Sequence, residues 1–447
     1  MSATEPEAPT LYAPITPSGR AAVVAVRLSG CRAFAVAARL MDPLPAPRRA
    51  AVRRLVDPAT EAVIDDALVL VFPAPASFTG EDVVEFHLHG GRMPLQRLLA
   101  AFGREPGLAP AGPGDFTRRA FLHGRLDLTQ AEAIADLIDA ETEAQARQAL
   151  QQWDGALTSR VRQWQARLLA VRAPLEAGLD FADEGDVVER GGALSADEIA
   201  AVRGEIQAAL ADRRGERTRD GLRIALVGAP NAGKSSLLNA LVQRDVAIVH
   251  DRPGTTRDLV EVPLDLAGHA VTLVDMAGLR ASDDPVEAEG VRRAEQAAAA
   301  ADLRLWLVDG SRPMPAPPPA CLQSGDILVR TKADLPAAAG AAPAWPAQVR
   351  ASVRTTTGLD PLLGALTARV EELVGDGAGL AVLATRARHR HQLEQAAAHL
   401  LRAAAQADAV LCAEDLRGAM DALGAITGER GVELVLDAIF QSFCIGK

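Results

Sequence analysis

The segment GAPNAGKSS, at residues 228–236, has the residue types and the spacing of a loop that binds phosphate groups. It matches G-x-x-x-x-G-K-S, follows the strand-like run LRIALVG and opens the helix-like run KSSLLNALV. In such a loop, backbone N–H groups surround phosphate oxygens, Lys234 reaches the β and γ phosphates as a point charge, and Ser235 can ligate Mg²⁺. A glycine turn without a ligand is the alternative, but the strand, the spacing and the lysine together favour nucleotide binding.

Two more motifs lie where a GTPase needs Mg²⁺ ligands and a contact to the γ-phosphate. PGTTRD, at residues 253–258, offers Thr256 as a second Mg²⁺ ligand. DMAG, at residues 275–278, ends a strand-like run, so Asp275 can hold Mg²⁺ through water while the Gly278 N–H senses the γ-phosphate. Each short motif occurs by chance, but the ordered set rarely does.

The motif TKAD, at residues 331–334, predicts recognition of guanine. The Lys332 stem would lie along the base, and the Asp334 carboxylate would accept two hydrogen bonds from guanine, a donor pair that adenine lacks. SVRTTTG, at residues 352–358, resembles the last loop that contacts the base in GTPases. Thr331 stands where such motifs usually have asparagine, and a hydroxyl cannot make both of the amide-type hydrogen bonds.

The elements that must position these residues can be read from the pattern of the chain. At 447 residues the chain is too long for one core, so we expect a multi-domain α/β + α protein. Residues 1–123 read as mixed strands and helices, 124–218 as helices, 219–374 as alternating strands and helices with a mostly parallel sheet, and 375–447 as helices again. Within the first helical stretch, Thr129 and Glu132 have the spacing of a capping box.

Composition excludes several classes of function. The net charge of −11 does not favour general nucleic-acid binding, so any RNA contact must come from a local patch. No apolar run reaches the ~18 residues of a membrane span, and the first residues do not resemble a signal segment. Four scattered cysteines without metal-type spacing are typical of reduced thiols in a cytosol, which predicts a cytoplasmic protein without a membrane partner; they are Cys31, Cys321, Cys412 and Cys444.

The use of lysine is unusual and points to ligand contacts. The chain has 47 lysines and arginines, yet the lysines are only Lys234, Lys332 and Lys447. A lysine retained against this bias is expected where a compact ammonium is needed and the planar arginine fork does not fit. Since the first two fall in nucleotide motifs, we expect Lys447, in the closing FQSFCIGK, to contact a ligand as well.

Three features keep alternative interpretations. His87 and His89 share a strand face, as metal ligands can, but no further cysteine or histidine accompanies them, which favours pocket or core residues. The arginine-rich stretches at 159–172 and 385–392 are either solvated helix faces or contacts to a tRNA backbone. The final CIGK has the length of a prenylation box, although glycine and lysine fit that motif badly.

Three long segments resemble one family, the MnmE (TrmE) tRNA-modification GTPases of the Era/Der-like group. They are SFTGEDVVEFHLHGG at 77–91, PGDFTRRAFLHGRLDLTQAEAIADLIDA at 113–140 and the final CIGK. Together with the GTPase motifs, the resemblance covers essentially the whole chain. It implies a dimerising folate-binding domain at 1–123, a helical domain in two parts at 124–218 and 375–447, and a P-loop GTPase domain inserted between them at 219–374.

The resemblance also implies an activity and partners. Members of the family are homodimers that form a heterotetramer with the FAD-containing flavoprotein MnmG. Together they add a (carboxymethyl)aminomethyl group to carbon 5 of the wobble uridine of certain tRNAs, with a 5-formyl- or methylene-tetrahydrofolate as the one-carbon donor. The alternative is an Era/Der-like, GTP-controlled module for ribosome assembly in which the first domain is only a scaffold. Binding of reduced folate would separate the two.

Site residues carry over from the family one at a time. The folate contacts correspond to Arg27, Glu85, Arg125 and Lys447, and Cys444 would lie near the one-carbon unit as a nucleophile or an acid. Leu279 stands where many GTPases have a water-orienting glutamine, and Glu287 corresponds to the family's water-orienting acid. A K⁺ ion takes the place of an arginine finger; its ligands correspond to Asn231, His250, Arg252 and Thr255.

The full set of implied GTP contacts joins these motifs. It comprises the phosphate loop, the segment around PGTTRD, the DMAG motif and the base-contact residues. The members are Asn231, Ala232, Gly233, Lys234, Ser235, Ser236, His250, Asp251, Arg252, Pro253, Gly254, Thr255, Thr256, Asp275, Met276, Ala277, Gly278, Thr331, Lys332, Asp334 and Ser352.

Overall fold

A computed structural model of the chain describes most of its residues in two compact units. One unit holds the chain up to Ala135 together with Met420–Lys447, and the other holds Asp136–Ala419. The predicted domain boundaries after residues 123, 218 and 374 stay predictions. The described residues are 8–17, 19–180, 192–243, 260–275, 296–313, 319–338, 345, 347–375, 384–430 and 433–447.

The first unit is built on a mixed sheet. Among the described residues, six strands form it in the order β3-β4-β5-β2-β1-β6, antiparallel except for the parallel pair β1 and β6. Alternation on β5 buries Val84, Phe86 and Leu88 and leaves Glu85 and His87 on the opposite face. The strands are β1 Thr10–Pro14, β2 Val23–Ser29, β3 Ala51–Val56, β4 Val63–Phe72, β5 Val83–His89 and β6 Leu108–Pro110.

Helices cover the apolar face of this sheet. Buried side chains of α1 and α2, among them Val36 and Leu98, pack against Phe86 and its neighbours on the strands. A second cluster joins α4 to α13 through Leu128 and Phe440. The helices of this unit are α1 Ala33–Leu40, α2 Arg92–Gly103, α3 Asp115–Leu122, the first part of α4 Leu128–Asp139, the last part of α12 Ala409–Thr427, and α13 Glu433–Gln441.

The start of α4 differs from the sequence prediction of a Thr129–Glu132 capping box. The helix begins at Leu128, so Thr129 already lies inside its first turn. Asp127 takes the capping position: its Oδ1 accepts from the Gln130 N–H at 2.9 Å, and the Asp127 N–H donates to the Gln130 side chain at 3.1 Å. The prediction was wrong by two residues because Gln130 can make the same reciprocal bond as glutamate.

The second unit combines helices with a P-loop-type sheet. Its described strands have the order β12-β11-β10-β7-β9-β8, with all neighbours parallel except β8 and β9, which confirms the mostly parallel sheet. Apolar side chains of every strand pack between the sheet and its helices. The strands are β7 Leu222–Val227, β8 Val260–Leu266, β9 His269–Asp275, β10 Leu303–Asp309, β11 Ile327–Thr331 and β12 Ala347–Arg350.

Helices of the second unit precede the sheet and follow it in the chain, and α9 lies between the strands β7 and β8. Thr142 caps α5 in a capping box with Gln145. No helix in the described ranges is both long and apolar enough to cross a membrane. The remaining helices are α5 Glu143–Trp153, α6 Ala156–Asp180, α7 Gly192–Ala211, α8 Arg214–Asp220, α9 Lys234–Leu241, α10 Leu359–Val374 and α11 Ala387–Ala405.

Candidate functional site

The phosphate loop connects the carboxyl end of β7 to the first turn of α9. A Cβ atom on Gly228 would collide with the Leu307 carbonyl oxygen, so only glycine lets the loop pass β10 this closely. Asn231 and Gly233 have left-handed backbones, with φ of 63° and 94°. Gly233 caps α9 without a side chain, which leaves the first N–H groups of this helix available to an anion.

Lys234 lies inside this loop. Its ammonium donates to the carbonyl oxygens of Gly228 at 2.7 Å and Ala229 at 3.1 Å, and the residue is 8% exposed. Burial lowers the pKa of Lys234, and the nearby Asp275 carboxylate opposes that shift. The cation is thus held among the loop's own backbone groups, which the predicted phosphate contact requires.

Ser235, a predicted Mg²⁺ ligand, meets Asp275, the acid predicted to hold the ion through water, at the end of this loop. The Ser235 hydroxyl donates to Asp275 Oδ2 at 2.6 Å, although 40 residues separate them in the chain. Asp275 ends β9, next to β7 in the sheet, and is 3% exposed. Two hard oxygen donors at the mouth of a phosphate loop form the donor set that Mg²⁺ prefers, so these residues fit the ion.

Thr331 forms a hydrogen bond to the backbone of the phosphate loop. It is buried at the end of β11, and its hydroxyl lies 2.7 Å from the Ala232 carbonyl oxygen and 3.2 Å from that of Val308. A hydroxyl has one proton, so it satisfies one acceptor at a time, and the shorter contact goes to the phosphate loop. Thr331 therefore links the base-recognition motif to the phosphate loop through one hydrogen bond.

Lys332 pairs with an acid that the sequence reading had not singled out. Its ammonium donates to Asp309 Oδ2 at 2.6 Å, and its backbone is left-handed, with φ of 55°. This hydrogen bond, followed by that of the Ser311 hydroxyl, lowers the pKa of Asp309 to about 2. Asp309 is the last residue of β10, which pairs in parallel with β11. The sequence signal that could have identified it is a carboxylate at the end of the strand that precedes the TKAD strand.

Asp334 and the loop that follows β12 form the predicted base-contact pair. The Ser352 hydroxyl, fully buried, donates to Asp334 Oδ1 at 2.6 Å. That hydrogen bond lowers the pKa of Asp334, to which the Arg354 guanidinium also contributes. Gly358 closes the loop with φ of 79°, where a Cβ would collide with the Arg350 carbonyl oxygen. The carboxylate is thus ionised and oriented by its partner.

The remaining predicted nucleotide residues divide between the described chain and its gaps. Ala232 is buried in the phosphate loop, and Ser236 is exposed on α9. The others lie outside the described residues: the predicted catalytic Glu287, and His250, Asp251, Arg252, Pro253, Gly254, Thr255, Thr256, Met276, Ala277 and Gly278.

The first unit contains a second candidate site around Arg27. Strand register places Arg27 of β2 directly opposite Glu85 of β5, and the guanidinium donates to Glu85 Oε1 at 3.0 and 2.8 Å. The Arg27 guanidinium also lies 4.9 Å from the centre of the Phe78 ring and 5.4 Å from that of Phe116. Both charged side chains remain about 15% exposed, so the pair is sheltered but reachable.

The two histidines of β5 have different surroundings. His87 Nε2 is buried without a hydrogen-bond partner, 3.7 Å from Glu85 Oε2. His89 is exposed, and its Nδ1 lies 2.8 Å from an oxygen of Asp65. Across the described ranges, no three His, Cys, Asp or Glu side chains group as a metal site would need. His87 therefore belongs with the Arg27–Glu85 pair.

The predicted folate residues Arg125 and Lys447 each lie next to a segment that carries one of the two phenyl rings. Arg125 is exposed and passes Gly80, where a Cβ would lie 3.4 Å from its Cγ, two residues beyond Phe78. The Lys447 carbonyl oxygen accepts from the Phe116 N–H at 3.0 Å. Sequence reasoning missed Phe78 and Phe116, and only their places in SFTG and PGDF, inside the family-like segments, could have suggested them.

The segment that carries Cys444 is anchored by its backbone. The Cys444 carbonyl oxygen accepts from the Gly114 N–H at 3.4 Å, and Ile445 bridges Pro113 in antiparallel fashion. Cys444 itself is exposed. Phe440 and Phe443 pack against each other and into the α4 cluster, and Ile439 packs on the same cluster.

The arginine-rich stretches form ion pairs within the second unit. On α6, Arg167 bonds to Glu198 and Glu205 of α7, which raises its pKa, and Arg172 bonds to Glu176 at 2.5 Å. These partners favour a structural role over a tRNA contact for these arginines.

The second stretch, at 385–392, follows the same pattern. Arg386 bonds to Asp136 at 2.6 Å, Arg390 bonds to Glu216 at 2.7 Å, and His389 is fully buried. Charges already neutralised inside the fold attract phosphate weakly.

Two family models and the curated relatives agree on one family. A family model described as "GTP-binding protein TrmE N-terminus" matches residues 10–125, and one described as "MnmE helical domain" matches residues 128–444. A "tRNA modification GTPase MnmE" from Methylobacterium radiotolerans is 51% identical over 446 residues, covering 99% of this chain and 100% of the relative. One from Rhodospirillum rubrum is 50% identical over 460 residues, covering 98% of this chain and 99% of the relative. The solved structure of Aquifex aeolicus Era is 25% identical, covers 33% of this chain and 56% of that one, and has a TM-score of 0.25.

The Asp309–Lys332 pair predicts a pH-dependent contribution to stability. The folded-state pKa of Asp309, about 2, is below its ordinary 3.8, so the stabilisation is present above pH about 4 and is lost as pH falls toward 2. Relative to wild type, Asp309→Asn should lower the free energy of unfolding by about 1–2 kcal/mol between pH 5 and 7. That difference should shrink below pH 4. Urea unfolding of both chains at several pH values measures it.

A matched control is Glu372→Ala, which removes an exposed acid paired with Arg369 in the same unit. Its effect should stay small and nearly constant over the same pH range. A difference between wild type and Asp309→Asn that does not change from pH 6 to 3 would contradict the assigned pairing.

Proposed function

The chain belongs to the MnmE family, whose named relatives are tRNA modification GTPases, and from this premise we propose that it couples GTP hydrolysis to the modification of wobble uridines. It is a GTP hydrolase acting in tRNA modification. The observation that carries the hydrolase assignment is the convergence of Ser235 and Asp275, 2.6 Å apart at the mouth of the phosphate loop. Nucleotide binding and Mg²⁺ chemistry both need that convergence.

The loop residues divide the work of holding the triphosphate. Backbone N–H groups at the start of α9 bind phosphate oxygens, and Lys234 exchanges its loop carbonyls for the β and γ phosphates. Ser235 and Asp275 would hold the ion, the latter through water. Mg²⁺, when bound there, supplies positive charge against the β- and γ-phosphate oxygens.

Base selection follows from a carboxylate that is already ionised and oriented. The Ser352 hydrogen bond leaves the Asp334 carboxylate as an acceptor for the N–H donors of guanine. The Lys332 stem lies along the base while its ammonium stays with Asp309. Thr331 contributes by holding the phosphate loop, not by bonding the base.

Hydrolysis needs a group that orients water, and Leu279 has no polar atom for it. We assign this step to Glu287, and the charge neutralisation to K⁺ held by Asn231, His250, Arg252 and Thr255, as in the family. Asn231 supports the assignment because its left-handed backbone, with φ of 63°, lies on the exposed face of the phosphate loop. The other residues fall outside the described chain.

The Arg27 region fits a reduced folate. A largely buried Arg–Glu pair beside two phenyl rings offers a donor, an acceptor and apolar faces to a planar ring, and His87 Nε2 is a further polar atom without a hydrogen-bond partner beside it. The folate, when bound, supplies the one-carbon unit. Arg125 and Lys447 would contact it at the periphery, and Cys444 would act on the one-carbon unit from the exposed face.

The partners follow from the same family. We propose a homodimer that works in the cytoplasm with an MnmG-type flavoprotein and its FAD on tRNA. The runner-up is a GTP-controlled module for ribosome assembly, for which the Arg27 region would be a scaffold only. The buried, unpaired His87 Nε2 favours the first, because a scaffold gains nothing from an unsatisfied polar atom.

The K⁺ assignment predicts a salt-specific hydrolysis rate. Replacing K⁺ by Na⁺ at equal ionic strength should slow GTP hydrolysis by up to ~10²-fold, since one lost electrostatic stabiliser typically costs ~10²–10³ in rate. Asn231→Ala should abolish the difference between the two salts, whereas Asn239→Ala, exposed on the helix α9 that follows the loop, should keep it. Glu287→Ala should slow hydrolysis and leave GTP affinity unchanged. Equal turnover of the wild type in both salts would exclude the K⁺ site.

The base-contact pair predicts graded losses of affinity. Asp334→Asn should weaken GTP binding ~10- to 100-fold and relax the preference over ATP, because hydrogen bonds to a charged acceptor contribute ~1.5–3 kcal/mol. Ser352→Ala leaves the carboxylate but removes its orienting bond, so a loss of ~0.5–1.5 kcal/mol is expected. Thr355→Ala, exposed on the same loop, is the control. Calorimetric titrations in which wild type binds ATP as tightly as GTP would refute guanine recognition.

The thiol predicts a separation of the two activities. Cys444→Ser should abolish wobble-uridine modification while leaving folding and GTP hydrolysis nearly unchanged, because the thiolate is the reactive form of cysteine and a hydroxyl replaces it poorly. Cys31→Ser, the other exposed cysteine of the first unit, is the matched control and should behave as wild type. Mass spectrometry of tRNA nucleosides from cells with either variant measures the outcome. Wild-type modification with Cys444→Ser would remove the thiol from the mechanism.

A further inference from the structure

Helix α3 starts without a capping side chain. Its N-cap is Gly114, with φ of 70°, and no side chain bonds the first turn at that position. The neighbouring Asp115 carboxylate accepts from the Gly112 N–H at 2.7 Å and so points away from the helix. The first N–H groups of a helix have no partner inside it, and Ser, Thr, Asp or Asn usually satisfies one of them. The Asp115 N–H donates to the Gly112 carbonyl oxygen at 3.5 Å, and the Phe116 N–H needs a partner from outside the helix.

The segment 444–447 provides that partner from the far end of the chain. The Phe116 N–H, at the second helical position, donates to the Lys447 carbonyl oxygen at 3.0 Å. This is the position that a capping side chain normally serves. The bridge between Pro113 and Ile445 holds the two stretches side by side. The segment thus caps α3 through its backbone atoms.

Gly446 is required for this arrangement. Its φ is 94°, which residues with a side chain rarely adopt, and a Cβ atom there would collide with the Pro14 carbonyl oxygen and lie 3.0 Å from Ile15 Cα. Both contacts are backbone atoms that cannot rotate away. Any other residue at 446 must therefore lift the segment off the chain beside β1.

Phe116 joins the segment to the Arg27–Glu85 pair. Its ring is fully buried and lies 5.4 Å from the Arg27 guanidinium, while its N–H holds Lys447. A shift of Phe116 would therefore disturb both contacts together. One residue supports the thiol-bearing segment by its backbone and the charged pair by its ring.

We propose that Gly446 is a positioning residue and that Phe116, whose ring lines the proposed folate site, connects the segment to that site, so that docking of segment 444–447 and binding of a reduced folate at Arg27–Glu85 are mutually dependent. The inference rests on the proposed folate function. It needs no contact between folate and either Gly446, which has no side chain, or the Phe116 amide. Reciprocity then requires that folate stabilise docking by the same factor by which docking strengthens folate binding.

The test uses the full-length chain, with two readouts. Hydrogen exchange of the Phe116 amide reports docking, and titration with 5-formyltetrahydrofolate reports binding. Gly446→Ala is the test variant. Gly155→Ala is the control for backbone strain alone, since Gly155 has φ of 84° and its nearest atom is 4.0 Å away, and Val36→Ala, buried under the sheet, is the control for general weakening of the first unit.

Gly446→Ala should speed Phe116 exchange and weaken folate binding, each by about tenfold, while GTP hydrolysis stays unchanged. The controls should move neither readout at temperatures where the fold is intact. In the wild type, saturating folate should slow Phe116 exchange by the same factor. Phe116→Leu keeps the N–H and loses the ring, so it should weaken folate binding yet keep the amide at position 116 protected.

Two results would overturn the inference. Wild-type protection of Phe116 in Gly446→Ala would show that docking does not depend on glycine, and lost protection with unchanged folate affinity would show that docking and binding are independent. Failure of the proposed folate function looks different, because the unsubstituted chain would then bind no 5-formyltetrahydrofolate. The coupling would fall with it, while the exchange data would still decide the role of Gly446.

Discussion

The parallel pairing of β9, β7, β10 and β11 is the constraint on which the nucleotide site depends. Because these strands run the same way, their carboxyl ends meet at one edge of the sheet, where ligands of such sheets bind. Register sets Leu226 of β7 beside Asp275, and Asp309 beside Thr331. Polar groups that are remote in sequence thereby come within hydrogen-bond distance, as Ser235 and Asp275 do. Backbone hydrogen bonds of the sheet, more than any contact between the motifs, position the chemistry.

Polar groups buried by this packing are satisfied by partners from neighbouring strands. Thr331 donates to the phosphate loop, and Lys332 donates to Asp309. Deeper in the sheet, Arg304 and Asp326 are each 2% exposed, and the arginine also bonds the carbonyl oxygens of Ala298 and Ala301. A buried charge is costly unless paired and hydrogen-bonded, so these pairs limit which residues can occupy the strand ends. The site therefore inherits much of its rigidity from the core.

The first unit uses a different device, a charged pair sheltered by aromatic rings. Antiparallel register places Arg27 opposite Glu85, and the loop before β5 and the start of α3 each contribute a phenyl ring. The same helix start receives the thiol-bearing segment. The nucleotide motifs and the thiol-bearing segment thus belong to different units, and only the nucleotide motifs lie at the carboxyl ends of parallel strands.

Local chemistry in the sequence determined a large part of this protein. The phosphate loop, the Asp275 motif and TKAD are short, contiguous segments, so the sequence shows both their residue types and their spacing. The periods of the strands and helices predicted the order of elements and the mostly parallel sheet. Contacts between segments that are distant in the chain could not be predicted from the sequence. Asp309 as the partner of Lys332, Phe78 and Phe116 around Arg27, and the backbone bond from Phe116 to Lys447 depend on which strands pair and how closely backbones approach. Even the cap of α4 lies at Asp127 and not at Thr129, because the geometry of the helix start decided between two polar residues with suitable spacing. A linear pattern records which groups are available, whereas tertiary packing decides which of them meet, since register and excluded volume are properties of the whole fold.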